Sequence, residues 1–261
     1  MRLSYYILQL PAFLLLPCIL ILFIAIGSVS TCLFRKYVRL NIRRAHNEAV
    51  GTVFAVLGGF YALLLGFVVF LVWTASNDAQ NNANREGSWA RALYRDIRYY
   101  PDTAQTGPLM HSYIHYVHYV IDQEYPKMEQ MQPLTSASRT DFDDVFRRVE
   151  QLNAHDPRIE QMFTALNELA TARSLRQLDA SSEIPSELWT PLILGGGIIF
   201  LFSLMIDVES KRLHILINSL LGAFIGLVIY LIIILDHPFT GQIKIEPDEY
   251  RIILQMDSRA K

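Results

Sequence analysis

Cysteine is nearly missing from this chain of 261 residues, which has only Cys18 and Cys32. Both fall in the first apolar stretch, about 21 Å apart along a helix. They cannot pair with each other, and no disulfide framework supports the rest of the chain. Proline is absent between Cys18 and Tyr100, so a long segment can run as helix without a break. Charge is absent from residues 5–34 and 49–75. Catalytic signatures are absent too: the chain has no G-x-S-x-G, P-loop, G-x-G-x-x-G or H-E-x-x-H. No alternating strand pattern and no internal repeat is found. A net charge of −2 marks no strongly charged partner. Basic residues cluster only at Arg35, Lys36, Arg39, Arg43 and Arg44, a loop suited to anionic headgroups and not to nucleic acid.

What is present is apolar length. Hydrophobic residues make up 52% of a chain that is still 18% charged, because the charges are segregated. A helix needs roughly 20 apolar residues to cross a bilayer, and residues 5–34, 49–75, 188–206 and 215–235 each qualify. The first stretch is too long for a signal peptide, has only Arg2 before it and lacks an A-x-A site, so it reads as a retained anchor. The expected organisation is two spans over residues 1–75 with a basic loop at 35–47, a helical insert at 76–186, two more spans over 187–235, and a tail at 236–261. Short loops rich in Lys and Arg stay in the cytoplasm. The 35–47 loop, together with Lys211 and Arg212 in the turn between spans three and four, therefore places the N-terminus, insert and tail on the extracytoplasmic side. Tyr5, Tyr6, Trp73 and Trp189 stand where span ends meet headgroups.

Helical periodicity runs on from span two to Tyr100, where Pro101 stops it. The extension carries a seam at Val72, Ser76, Ala79, Ala83, Glu86, Ala90, Leu93 and Ile97, with the alternating four and three steps of a coiled coil. Its opposite face is polar, with Asn77, Gln80, Asn81, Asn84, Ser88, Arg91 and Arg95. A second helix is expected over residues 108–127, with a stripe of Met110, Ile114, Val117 and Ile121. A third covers 141–153 around Phe142, Val145, Phe146, Val149 and Leu152. Asp156-Pro157 starts a fourth, with Asp as N-cap and Pro at the first helical position; its stripe is Ile159, Met162, Leu166, Leu169, Arg173 and Arg176. The insert thus reads as a four-helix antiparallel bundle. Glu86 and Arg176 each stand about 16 Å beyond the edge of a span, on helices that run antiparallel. Glu86 is therefore expected to pair with Arg176 or Arg173 inside the bundle; the rival reading turns all three toward water.

Three sets of residues carry candidate chemistry. His111, His115, His118 and Asp122 fall within about 60° of one another on a helix. Imidazoles at this spacing can share a metal such as zinc, or sense pH; they also fit the plain polar flank of an amphipathic helix. Gly58, Gly59 and Gly66 in span two, Gly195–Gly197 in span three and Gly222-x-x-x-Gly226 in span four allow close helix approach, as packing seams or as pore walls. Glu48 and Asp207 at the cytoplasmic side, and Asn77, Asp78 and Asn81 at the outer end of span two, would form rings at a channel mouth if repeated by symmetry. Singly, each is an ordinary residue at a span end. No ionisable residue lies deep in a span, which argues against a proton-coupled transporter.

Several short runs in order resemble the bestrophin-like domain family of bacterial membrane proteins. They are His46-Asn47-Glu48, the run from Trp73 to Ala79, Asn84-Arg85-Glu86, Leu93-Tyr94-Arg95, Arg173-x-x-Arg176, Pro185-x-x-Leu188-Trp189 and Asp236-His237-Pro238-Phe239-x-Gly241. The resemblance covers residues 44–247. It implies similarity to bestrophins, which are pentameric anion channels. Bestrophins keep most of their chain in the cytoplasm, whereas the basic loop here places the insert on the other side. The acidic calcium-clasp run of animal bestrophins has no counterpart, so neither anion selectivity nor calcium gating is carried over. The reading is an all-α, homo-oligomeric protein of the bacterial inner membrane, not an enzyme and without a cofactor. Span two would line a pore and inorganic ions would pass. The alternatives are a non-conducting sensor or scaffold whose insert binds a periplasmic partner, and a metal-dependent membrane enzyme at the His111 cluster.

Overall fold

The computed structural model describes residues 8, 10–38, 44–134, 137–152, 156–241 and 243–260. In chain order the helices are α1 (Ala12–Tyr37), α2 (Arg44–Arg98), α3 (Thr103–Tyr119), a π-helical turn (Val120–Glu124), α4 (Tyr125–Glu129), α5 (Ala137–Glu150), α6 (Pro157–Ser181), α7 (Ser186–Met205), α8 (Lys211–Leu235) and α9 (Asp248–Ala260). No strand occurs among the described residues. Four helical stretches, Phe13–Tyr37, His46–Arg98, Pro157–Met205 and Lys211–Leu235, are long and apolar enough to cross a membrane. The protein is an all-α membrane protein. Arg2, Tyr5, Tyr6, Arg39, Arg43 and the Arg44 side chain lie outside the described residues.

The helix ends follow local chemistry. Pro11 stands at the N-cap of α1, where its missing N–H would have no helical partner anyway; the helix therefore begins at Ala12. Asp102 caps α3 by accepting from the backbone N–H groups of Ala104 and Gln105 at 3.1 and 3.3 Å. Asp156 caps α6 by accepting from Arg158 N–H at 2.9 Å.

The chain folds as two compact units. One comprises Leu10–Thr74 and Glu183–Asp236; the other comprises Met1–Gln9, Ala75–Ser182 and His237–Lys261. In the first, the membrane unit, α2 buries Tyr61, Leu65, Val68 and Val72 against Leu192 and Ile199 of α7 and Ile225 and Ile232 of α8. The Tyr61 hydroxyl donates to the Leu192 carbonyl at 3.0 Å, and its ring lies over Gly195 and Gly196 where any Cβ would collide with it. α1 and α8 meet backbone to backbone. A Cβ on Gly222 would overlap the Phe23 carbonyl, and one on Gly27 would overlap that of Asn218, so small residues set this contact. Ile193, Leu194 and Leu201 of α7, and Leu216, Leu220, Phe224 and Leu227 of α8, face outward and exposed, as a lipid-facing surface requires.

In the second, the helical unit, α2 buries Ala79, Ala83, Glu86, Ala90, Leu93 and Ile97, with Ser76 half-buried; the seam read from heptad spacing is its core face. The apolar stripes of α5 and α6 also point inward. Two expectations are corrected. The segment after Pro108 is not one regular helix, because a π turn intervenes at Val120–Glu124. Pro126 follows directly; it has no N–H to give and its ring would press on the Asp122 carbonyl four residues back, so a regular helix cannot continue through it. The core face of α3 is also turned by a residue: Leu109, Tyr113, Tyr116, Val117 and Val120 are buried, while Met110, Ile114 and Ile121 lie at its margin. The second correction concerns the tail. α9 buries Tyr250 and Ile253 in the same core, so the bundle has a further helix drawn from beyond span four. The turn leading to it packs Phe239 edge-on to Tyr125 at 6.2 Å and places Gly241 at φ 86, a conformation that glycine adopts without strain.

Candidate functional site

The helical unit is built around a buried set of charges. α2 supplies Glu86, the π turn supplies Glu124, and α6 supplies Arg173 and Arg176 from one face, a turn apart. Glu86, Glu124 and Arg176 are fully buried. Arg176 clasps Glu86 through two nitrogens, Nε donating to Oε2 and Nη2 donating to Oε1 at 3.0 Å. The same Nη2 donates to Glu124 Oε2 at 2.5 Å, and Nη1 donates to the Met128 sulfur at 3.2 Å. Arg173 Nη2 donates to the other Glu124 oxygen at 2.8 Å. Tyr250 of α9 completes the group: its hydroxyl donates to Glu86 Oε1 at 2.7 Å. Aromatic faces cover the cations. The Arg176 guanidinium lies 4.9 Å from the Tyr125 ring centre, and that of Arg173 lies 5.1 Å from Phe142.

Two acids and two guanidinium groups balance in charge, and planar forks meet planar carboxylates, the geometry that makes such pairs strong. Burial works against the Arg176 charge, but Glu86 and Glu124 outweigh it and hold the group well above its ordinary value. Burial pushes the Tyr250 hydroxyl well up, and the Glu86 charge adds to this, so Tyr250 stays a donor. Nothing here is exposed to a substrate; the group ties α2, the π turn, α6 and α9 together. Glu86 and Arg176 meet as the seam spacing implies, whereas Arg173 takes Glu124 and not Glu86. Glu124 escapes a reading based on regular periodicity because it sits in the π turn. Its signal is an acid placed between an apolar stripe and a Tyr-Pro pair.

The other predicted residues lie apart from this group. His111, His115 and His118 are exposed on α3. His115 Nδ1 lies 3.5 Å from Asp141 and His118 Nδ1 lies 3.4 Å from Asp122. Among the described residues no three His, Cys, Asp or Glu side chains converge as metal ligands, so the four-residue set of His111, His115, His118 and Asp122 is not drawn together: two separate imidazole–carboxylate pairs take its place. In the membrane unit, Glu48 and Asp207 are exposed. The Asn47 side chain grips the Asp207 backbone in both directions, accepting from its N–H at 2.8 Å and donating to its carbonyl at 3.2 Å. In the helical unit, Asn77, Asp78 and Asn81 are exposed on α2.

The glycines divide into two groups. Gly195, Gly196, Gly222 and Gly226 are packed against neighbours, while Gly58, Gly59 and Gly66 of α2 have open space where a Cβ would stand. On that side of the helix Leu63, Phe70 and Trp73 are exposed as well. The membrane-unit stretch of α2 thus has one face packed in the chain and one face left open among the described residues. The membrane unit also holds a polar track that spacing does not reveal. Asn218 of α8 donates to Thr31 at 2.8 Å and accepts from Ser203. His214 joins Arg35 Nη1 at 3.3 Å and the Ser203 carbonyl at 3.2 Å.

Comparison with curated proteins returned no match. Among solved structures, a bacterial bestrophin homologue from Klebsiella pneumoniae is similar in fold. One point-substituted form superposes with a TM-score of 0.71 at 15% identity, covering 92% of this chain and 98% of that one. A form phased on zinc gives 0.68 at 15% identity, covering 93% and 97%. A model of the Bestrophin-like domain matches residues 21–250. With an all-helical fold, four apolar helices and this match over most of its length, the chain belongs to the Bestrophin-like domain family.

Proposed function

We propose that the protein is a homo-oligomeric ion channel of the bacterial inner membrane, with α2 lining the pore. The observation that carries this reading is the unpartnered face of α2 in the membrane unit. Gly59, Leu63, Gly66, Phe70 and Trp73 recur there at three- and four-residue steps; the two glycines have open space beside them and the three large side chains are exposed. A ring of subunits would give that face a role, with small residues leaving room for a pathway and apolar ones narrowing it. The similarity to a bestrophin homologue supports the same arrangement. Glu48, Asp207, Asn77, Asp78 and Asn81, all exposed, would ring the two mouths, with Gly58 beside the pathway. Among the described residues, buried carboxylates of the kind used in proton relays are absent from 12–34, 49–75, 188–206 and 215–235. The basic loop at 35–47 orients the protein with the helical unit and the tail outside the cytoplasm.

Purified protein in proteoliposomes tests the reading directly. Native mass measurement is expected to show a single closed oligomer. Ion flux is expected in the parent, and loss of flux in Gly66→Trp with the oligomer retained. A monomer that passes no ion would overturn the proposal.

A further inference from the structure

The end of α1 meets α8 through a contact whose protonation state is fixed by its geometry. Arg35 stands in the last turn of α1, and its Nη1 lies 3.3 Å from Nδ1 of His214 in the first turn of α8. The same Nη1 donates to the Val208 carbonyl at 2.7 Å. A guanidinium only donates and keeps its charge, so Nδ1 must accept. The ring is then neutral, with its proton on Nε2, which donates to the Ser203 carbonyl of α7 at 3.2 Å. His214 is 3% exposed.

We propose that this contact is a pH-sensitive latch: protonation of His214 expels Arg35 and releases the end of α1, with the basic loop that follows it, from α8 and the turn before it. Charging the imidazole turns its acceptor into a donor. One N–H would then face another, and two cations would stand 3.3 Å apart. The closed contact excludes the proton, so by linkage acid favours the open form.

No neighbouring acid offsets the added charge. From α1, Arg35 is the charged group that faces the ring; Lys36 is exposed and lies over Tyr37, and the Cys32 thiol is a turn back. α7 brings the Ser203 carbonyl, and its one acid, Glu187, stands at the opposite end. Asp207 and Glu209 of the turn, Lys211 and Arg212 of α8, and His46 and Glu48 of α2 are exposed. Among the described residues, no acid joins the Arg35–His214 contact.

The surroundings confine the release to one end of one helix. Further along the same pair of helices, Asn218 donates to Thr31 at 2.8 Å and the Ser28 and Ser219 hydroxyls meet at 2.8 Å. These groups do not titrate, so they hold the rest of α1 on α8. The turn at Asp207–Val208 is gripped from both sides of the basic loop, by Arg35 of α1 and by Asn47 of α2. The Asn47 grip does not titrate either, so acid frees the α1 side alone.

Hydrogen exchange of the full-length protein in lipid nanodiscs tests this without reference to ion conduction. Rates at about pH 7.5 and about pH 5.5, which span the charge change of histidine, are each divided into those of the unstructured chain at the same pH. Protection over 33–38 is expected to fall roughly tenfold in acid, the effect of like charges at this distance even at the dielectric constant of water. Protection over 24–31 is expected to stay. His214→Gln can accept from Arg35 and donate to Ser203 but cannot titrate, so its protection over 33–38 should be high and equal at both pH values. Arg35→Met supplies a second arm that leaves the buried histidine in place; its protection there should be low and equal at both. The proposal is overturned if the parent is equally protected at both pH values, if 24–31 falls as far as 33–38, or if either variant that folds keeps the parent's drop in acid.

Discussion

Replacing Arg176 by Met would leave Glu86 and Glu124 facing each other in a site that water does not reach. Losing one partner of a buried charged group costs about 3–5 kcal/mol, and that loss is the expected drop in chemical-unfolding stability for Arg176→Met. Arg176→Lys is expected to recover little of it, since a single ammonium cannot span both carboxylates as the guanidinium fork does. Tyr250→Phe removes one hydrogen bond to a charged group and should cost about 1.5–3 kcal/mol.

A pH effect is expected from Asp179. Burial raises its carboxyl above the ordinary range; the Asn82 amide at 2.8 Å opposes this and the Asp78 charge adds to it. A carboxyl raised in the folded state binds more protons there than in the unfolded chain. Stability therefore falls as pH rises from the ordinary carboxylate value through the raised one, and the penalty is complete above that window. Asp179→Asn should unfold at a higher temperature than the parent at neutral pH, and the two should converge in acid. Thermal unfolding across a pH series checks this. Of these residues, Glu86, Arg173 and Arg176 were legible, because charges that fall on an apolar seam must find partners. Glu124 was not, because the π turn changes the residue spacing on which that reading depends.

At the scale of the element, the same residue type behaves in opposite ways along α2. Gly87 lies against Glu249 of α9, and a Cβ there would occupy the space of the Glu249 side chain. Gly→Ala inside a helix ordinarily stabilises by roughly 0.5–1 kcal/mol. Gly87→Ala is expected to do the reverse and lift α9, read as faster amide exchange over 248–260. Gly59→Ala meets only open space, so it should show the ordinary gain or no change in unfolding. The start of α6 was legible because Asp156-Pro157 combines a side-chain acceptor with a fixed φ. α9 was harder to read. Tyr250, Ile253 and Leu254 form a stripe on a short helix of 13 residues, and its burial depends on a surface assembled by other parts of the chain.

For the whole molecule, the orientation inferred from the basic loop has a direct check. In a background with Cys18→Ala and Cys32→Ala, Thr171→Cys would mark α6 and Glu209→Cys the turn before α8; both positions are exposed. A membrane-impermeant thiol reagent applied to spheroplasts should label the first variant at once and the second only after permeabilisation. The opposite pattern would place the helical unit in the cytoplasm. The sequence by itself determined the four spans, the all-helical class, the unbroken path of α2 and the inward face of that helix, because bilayer thickness and helical repeat act on neighbouring residues alone. Tertiary structure decided that Glu124 and Tyr250 join Glu86 and Arg176, that α9 completes the bundle, and that some glycines are packed while Gly58, Gly59 and Gly66 of α2 are open. Those outcomes depend on which surfaces meet across long stretches of chain, and local periodicity carries no record of the partner.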